Sequence, residues 1–258
     1  LAKAEMLELM PESGFAVLPG DDPFLPTLKS RSRAQVVTFG FGTGCDLRGV
    51  DVRMGPDGID LVVEQRLRRF PLHLQLLGKH NALNALAALA LFASCGHDLE
   101  EGVAAMAEFR PVAARMESHE IEGMRIILDC YNANPSSMKL ALEYLAICRG
   151  RRVAVLGDMR ELGSVSEDLH REIGRHVCRQ KLDVLVAVGD QAQFIAEAAI
   201  QEGMDAPCVH CCRDTDEAAA ALRLVLRQED TVLLKASRGM YFEKIVKQLW
   251  PSLHIDLH

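Results

Sequence analysis

Two rhythms of apolar spacing divide the chain. From Leu47 to Leu76 apolar and polar positions alternate: LRGVDVRM, then Gly55-Pro56-Asp57-Gly58, then IDLVVE and PLHLQL. Period-two alternation interrupted by a Gly/Pro/Asp turn predicts an antiparallel meander with one buried face. Ahead of it, LAKAEMLELM has helical spacing, Phe15–Leu18 and Gln35–Phe39 read as buried strands, and Asp21-Asp22-Pro23 opens a helix with acids at its amino end. Past Gly78, His80 to Cys95 is apolar on most faces and reads as a buried helix. A second helix follows Asp98 to about Phe109, where Arg110-Pro111 breaks it.

Beyond Pro111 the rhythm changes. Short apolar runs at Arg125–Asp129, Arg152–Leu156, Val184–Val188, Cys208–His210 and Thr231–Lys235 read as strands. Amphipathic stretches at Pro135–Ile147, Ser166–Gln180, Gln191–Gln201, Asp214–Arg227 and Arg238–Leu249 read as helices. Strict strand–helix alternation predicts parallel crossovers and a sheet covered by helices on both faces, an α/β fold. The change of organisation places a domain boundary between 110 and 111.

Composition narrows the function. The net charge is −7 and no basic run exceeds Arg66-Leu67-Arg68-Arg69, which argues against binding to nucleic acid. The longest apolar stretch, Ala82 to Cys95, is too short for the ~20 residues of a membrane span. The eight cysteines form no disulfide framework, which points to a reducing cytoplasm. Cys208-Val209-His210-Cys211-Cys212 lacks a second pair at zinc-site spacing and reads as a strand with ordinary thiols. The first residue is Leu rather than Met, so the chain is expected to be a fragment or a processed product.

In a parallel sheet all strand carboxyl ends lie along one edge, where open α/β sheets bind ligands. Four such ends carry polar groups: Asp129-Cys130-Tyr131-Asn132, Gly157 to Gly163, Gly189-Asp190, and Lys235 to Gly239. Asn134 is placed as an N-cap with Pro135 at the first helical position, so acceptors and unpaired N–H donors meet there. An ordinary strand–turn–helix corner, with Asp129 as a turn acceptor, accounts for the same stretch equally well. Ser237 can cap the last helix, whose amino end together with Arg238 suits a carboxylate or phosphate; capping plus a surface arginine is the equal alternative. Ser166 reads as a helix cap and His170 as structural. Asn81 and Asn84 share a helical face and, taken alone, suit bonds to a neighbouring loop. Gly78-Lys79 lacks the upstream glycine of a phosphate-binding P-loop.

Together and in this order, GKHNALN at 78–84, Arg115 in ARMES, DCYNANPSSM at 129–138, VLGDMRELG at 155–163, His170 and LLKASRGM at 233–240 resemble the Mur ligase family over nearly the whole chain. The pairing of YNANP-x-SM with LGDM-x-ELG points within it to the branch acting on D-alanyl-D-alanine. The resemblance implies the C-terminal part of a central ATP-binding domain over 1–110 and a Rossmann-like C-terminal domain over 111–258. The UDP-binding domain and the P-loop lie outside, so the chain alone is expected to be inactive. ATP and Mg2+ are the implied cofactors; UDP-N-acetylmuramoyl-tripeptide and D-alanyl-D-alanine are the implied substrates, joined through an acyl phosphate in the bacterial cytoplasm.

Carried over by position, the resemblance puts Asn84, with Asn81, on the adenine, Arg115 on the terminal phosphate, and Asp129 on the ribose with Asn132 beside it. Lys3 matches a lysine whose carbamylated form holds magnesium. Asn134, Asp158, Ser237 and Arg238 are the implied substrate contacts, the last two on the dipeptide carboxylate. Such chemistry depends on positioning and charge neutralisation, which suits a sequence without a Ser/His/Asp or Cys/His triad. Another amide ligase of the superfamily, such as the folylpolyglutamate type, and a non-catalytic Rossmann-like binding module are the competing expectations.

Overall fold

A computed structural model describes residues 4–55, 57–110 and 114–253. The chain divides into two compact units, Leu1–Arg110 and Pro111–His258.

The first unit runs α1 (Glu5–Leu9), β1 (Phe15–Pro19), α2 (Leu25–Arg31), β2 (Gln35–Gly40), β3 (Leu47–Gly55), β4 (Gly58–Gln65), β5 (Arg68–Leu74), α3 (Lys79–Ser94) and α4 (Leu99–Ala107). Its five-stranded sheet follows chain order, parallel from β1 to β3 and antiparallel from β3 to β5. The alternating pattern does what its period dictates. Ile59, Leu61, Val63, Leu72 and Leu74 all point to one face and pack on Ala82, Ala85, Leu86 and Leu89 of α3. That apolar stripe covers one side of α3 only, and Leu91 is 51% exposed, so the helix is not buried all round.

The acids at 21–22 do not open a helix. Helix α2 starts at Leu25 with no acid in its first turn. The Asp21 carboxylate accepts the Phe41 and Gly42 N–H groups at 2.6 and 2.9 Å, and Asp22 accepts from Phe24 at 2.7 Å. A glycine-rich loop offers unpaired donors, and a short acceptor satisfies them across the fold.

The second unit runs β6 (Glu117–Ile121), β7 (Met124–Asp129), α5 (Pro135–Ile147), β8 (Arg152–Gly157), α6 (Ser166–Arg179), β9 (Val184–Val188), α7 (Ala192–Gln201), β10 (Val209–Cys212), α8 (Thr215–Val225), β11 (Thr231–Lys235) and α9 (Glu243–Leu249). The sheet order is β10-β9-β8-β11-β7-β6, with β7 to β11 parallel and β6 antiparallel at the edge. Ile126, Leu128, Val232 and Leu234 share a core with Ala218, Leu222, Ile245 and Val246 from α8 and α9. The intervening Ile127 and Leu233 are fully buried on the opposite face, where α5 packs on β8 and β11. Each such side chain contributes about 1.5–3 kcal/mol of burial free energy. This is the α/β sheet covered by helices on both faces that the strand–helix alternation predicts, and the Rossmann-like arrangement that the resemblance implies.

Three local expectations fail here. Strand β6, ESHEI, is an unforeseen addition; its polar, half-exposed side chains carry no apolar signal, as suits an edge. Ser166 is the first residue of α6 and not its cap; its hydroxyl donates to Gln191 Oε1 at 2.9 Å. The stretch from Arg238 to Leu249 is not one helix. Arg238–Met240 form a 3-10 turn, Tyr241 takes a left-handed conformation (φ 53°), and α9 begins at Glu243.

Candidate functional site

The carboxyl ends of β7, β8 and β11 lie side by side, with Lys235 in register with Asp129 on one neighbour and Leu156 on the other. The Lys235 side chain is 1% exposed and that of Asp129 14%. The ammonium donates to Asp129 Oδ2 at 2.6 Å and to the Asn132 carbonyl at 3.2 Å. A buried lysine thus fixes both the strand end and the turn that follows it. Asp129 Oδ1 accepts no hydrogen bond from any described residue.

Ser237 ties three loops together. Its hydroxyl accepts the Arg160 N–H at 2.9 Å and donates to the Ala133 carbonyl at 3.5 Å, and its own N–H donates to the Asp158 carbonyl at 3.2 Å. These bonds shape a cavity of about 410 Å³ lined by Tyr131, Asn132, Arg160, Glu161, Ser237, Arg238 and Gly239. Arg238 donates to Glu243 at 2.9 Å. The Glu161 backbone is left-handed (φ 64°), a conformation that a non-glycine residue keeps only where its surroundings hold it.

Some expected contacts have other partners. Asn134 Oδ1 accepts the Ser137 N–H at 2.9 Å while Ser137 Oγ accepts the Asn134 N–H at 3.1 Å, a reciprocal cap on α5. Asp158 Oδ1 accepts from Gln191 and Ala192 at 3.0 and 2.8 Å, so this carboxylate caps the start of α7. Neither residue lines the cavity. Ser237 makes no side-chain cap. Arg115 lies outside the lining too, with its guanidinium 4.2 Å from the centroid of the Tyr131 ring. In the first unit Asn84 donates to Asn81 Oδ1 at 3.2 Å and Asn81 to the Leu77 carbonyl at 2.8 Å. Lys3 lies outside the described residues.

Two groups in the quoted motifs are structural. His170 is fully buried; Nδ1 stands 2.7 Å from the Ser166 carbonyl and Nε2 accepts the Met159 N–H at 2.9 Å. These bonds require the neutral tautomer protonated at Nδ1. Burial, with the charges of Glu243 and Asp129 adding to it, pushes the Cys130 thiol up to about 12, which removes it as a nucleophile.

Residues 1–92 match the model of the Mur ligase middle domain, and residues 114–238 match that of the Mur ligase glutamate ligase domain. The chain belongs to the Mur ligase family. This Mur ligase chain is 34% identical over 254 residues to the UDP-N-acetylmuramoyl-tripeptide–D-alanyl-D-alanine ligase of Bacillus subtilis, covering 97% of the chain and 54% of the relative. The Escherichia coli ligase of the same name is 30% identical, with 96% and 54% covered. MurF from Acinetobacter baumannii aligns with a TM-score of 0.85 at 28% identity, over 96% of this chain and 54% of that one. The MurF ligase of Thermotoga maritima, solved in complex with ADP, gives 0.82 at 25% identity, over 96% and 55%. The chain spans about half the length of these relatives.

Within this Mur ligase chain the fold brings Asn132, Ser237 and Arg238 together at one cavity. Reading the sequence for site residues missed Arg160, Glu161, Tyr131 and Gly239. All four sit inside motifs that carry the family resemblance, and the left-handed Glu161 is the local mark of a constrained loop. Among the described residues no helix is long and apolar enough to cross a membrane.

Proposed function

We propose that the protein forms an amide bond at the expense of ATP, adding D-alanyl-D-alanine to UDP-N-acetylmuramoyl-tripeptide in peptidoglycan precursor synthesis. The observation that carries this reading is the polar cavity at the ends of β7, β8 and β11, which holds cations and a carboxylate but no activated nucleophile. Similarity to ligases of that name along 97% of the chain supports it. The tripeptide carboxylate would be activated as an acyl phosphate, and the dipeptide amine would displace phosphate from it. The chain's part is to orient and to neutralise charge.

In this reading the unbonded Oδ1 of Asp129 accepts from the ribose, with Asn132 beside it. Arg115 leaves the Tyr131 face for the terminal phosphate. Asn84, steadied by Asn81, meets the adenine. Ser237 and Arg238 form the dipeptide side, whereas Asn134 and Asp158 act through the helix starts they cap. No group of three or more His, Cys, Asp or Glu among the described residues could hold Mg2+. In this reading the carbamylated form of Lys3 would help to hold Mg2+. A reaction on a nucleotide-linked sugar with ATP belongs to the bacterial cytoplasm.

Phosphate release by the full-length gene product tests this. Turnover should require both UDP-N-acetylmuramoyl-tripeptide and D-alanyl-D-alanine. Turnover with single amino acids and none with the dipeptide would overturn the reading in favour of another amide ligase of the superfamily.

A further inference from the structure

We infer that Lys235 is the positioning residue for the ribose contact: by taking one oxygen of Asp129 it aims the other at the sugar of the nucleotide. This rests on the ligase reading above, in which Asp129 meets the ribose. Lys235 is the only buried lysine or arginine among the described residues, at 1% exposure. Taking an ammonium out of water is costly, and a buried ion pair is weak grounds for stability, because well-packed apolar side chains of similar volume often serve as well. What apolar side chains in the same places would not do is hold a carboxylate by one of its oxygens.

The strands make this hold rigid. Lys235 and Asp129 are register partners on adjacent parallel strands, β11 and β7. The ammonium donates a charge-assisted bond to Oδ2 at 2.6 Å, and a second donor on the same nitrogen holds the Asn132 carbonyl at 3.2 Å. The last torsion of an aspartate is otherwise soft. With Oδ2 and the following turn both tied to Lys235, that rotation is restrained and Oδ1 keeps one direction before any ligand arrives, so less freedom is lost on binding. Asp129 retains 14% exposure, and Oδ1 accepts from no described residue. An ionised carboxylate oxygen only accepts, so the group that completes it is a donor; a sugar hydroxyl qualifies and a phosphate oxygen does not. The ammonium also balances the charge of Asp129, which lets a carboxylate stand beside a polyanionic nucleotide without repelling it.

The test measures phosphate release by the full-length gene product, at saturating UDP-N-acetylmuramoyl-tripeptide and D-alanyl-D-alanine, with ATP and with the two analogues that each lack one ribose hydroxyl. The readout is the ratio of kcat/KM for ATP to that for each analogue, in which any uniform change in nucleotide binding cancels. In the wild type at least one analogue should be about 10- to 100-fold poorer than ATP, the loss of a hydrogen bond to a charged acceptor. Lys235→Met should bring that ratio close to one, because an untethered carboxylate no longer meets the sugar at a fixed place. Lys235→Gln, polar but shorter, should give an intermediate ratio, and it carries the test if the methionine variant does not fold. A merely stabilising lysine would lower activity with all three nucleotides alike, so a wild-type ratio kept in either variant overturns the inference. A wild type that uses ATP and both analogues equally overturns it too, and leaves the ligase reading standing. A wild type that turns over no dipeptide overturns the ligase reading and this inference with it.

Discussion

Replacing Lys235 with methionine keeps the bulk of the side chain and removes one buried charge. Asp129, 14% exposed, then has no cation to face, and the Asn132 carbonyl loses its donor. Breaking a buried pair from one side costs about 3–5 kcal/mol. The residual exposure of Asp129 places this pair at the lower end, about 3 kcal/mol, with a further ~1 kcal/mol for the carbonyl. Trp250, the only tryptophan in the chain, is 3% exposed in the core of the second unit, so its fluorescence reports the unfolding of that unit. With a urea slope of about 2 kcal/mol per molar, Lys235→Met should lower the midpoint by about 1.5–2 M. Asp129→Asn combined with Lys235→Met removes both charges and should recover most of the loss, because no ion is left unpaired. A single-variant loss below about 1 kcal/mol, or a double variant as unstable as Lys235→Met, would refute the argument that the pair holds this corner.

Three other outcomes are expected. In the full-length gene product Arg115→Ala should raise KM for ATP about tenfold and spare KM for the dipeptide; the reverse pattern would move Arg115 to the other substrate. Burial, with the Lys139 and Arg179 charges adding to it, holds the His176 imidazole below its ordinary pKa against the pull of Glu143. The unfolded chain therefore takes up a proton near pH ~6.5 that the folded chain refuses, and stability falls as pH drops below that point. His176→Gln should flatten this fall in urea titrations, and an unchanged slope would exclude His176 as its source. With a thiol-specific chromogenic reagent at pH 8, exposed Cys95 should react promptly, whereas Cys130, buried and with its pKa raised to about 12, should react only on unfolding; early labelling of Cys130 would contradict its burial.

The legible parts of the fold are those where one physical demand dominates. VLVAV at β9 and TVLLK at β11 are buried at every position, so their sequences have no polar alternation to obscure them. Asn134-Pro135 marks the start of α5 because capping is a local bond between near neighbours. The misses are non-local. Asp21 finds its donors about 20 residues away at Phe41 and Gly42, so counting acids at a presumed helix start cannot succeed. The break at Tyr241 is a left-handed turn at a residue other than glycine, so no glycine displays it in the sequence. Arg160 escaped notice for a related reason. Its place in the cavity lining depends on the bond from its backbone N–H to Ser237, 77 residues downstream, which only the folded chain supplies.

The position of β11 has a consequence for how the molecule is made. Among the described residues it is the last strand of the second unit to be synthesised, yet it fills the gap between β7 and β8. Until it emerges, β6–β7 and β8–β9–β10 are two sheet fragments with no ladder between them and an open edge on each. Such edges invite pairing with other chains, so this interval is the nascent protein's most exposed moment. The cavity arrives with the strand that closes the gap. Asp129 waits for Lys235, 106 residues downstream, and Arg160 for Ser237, 77 residues downstream.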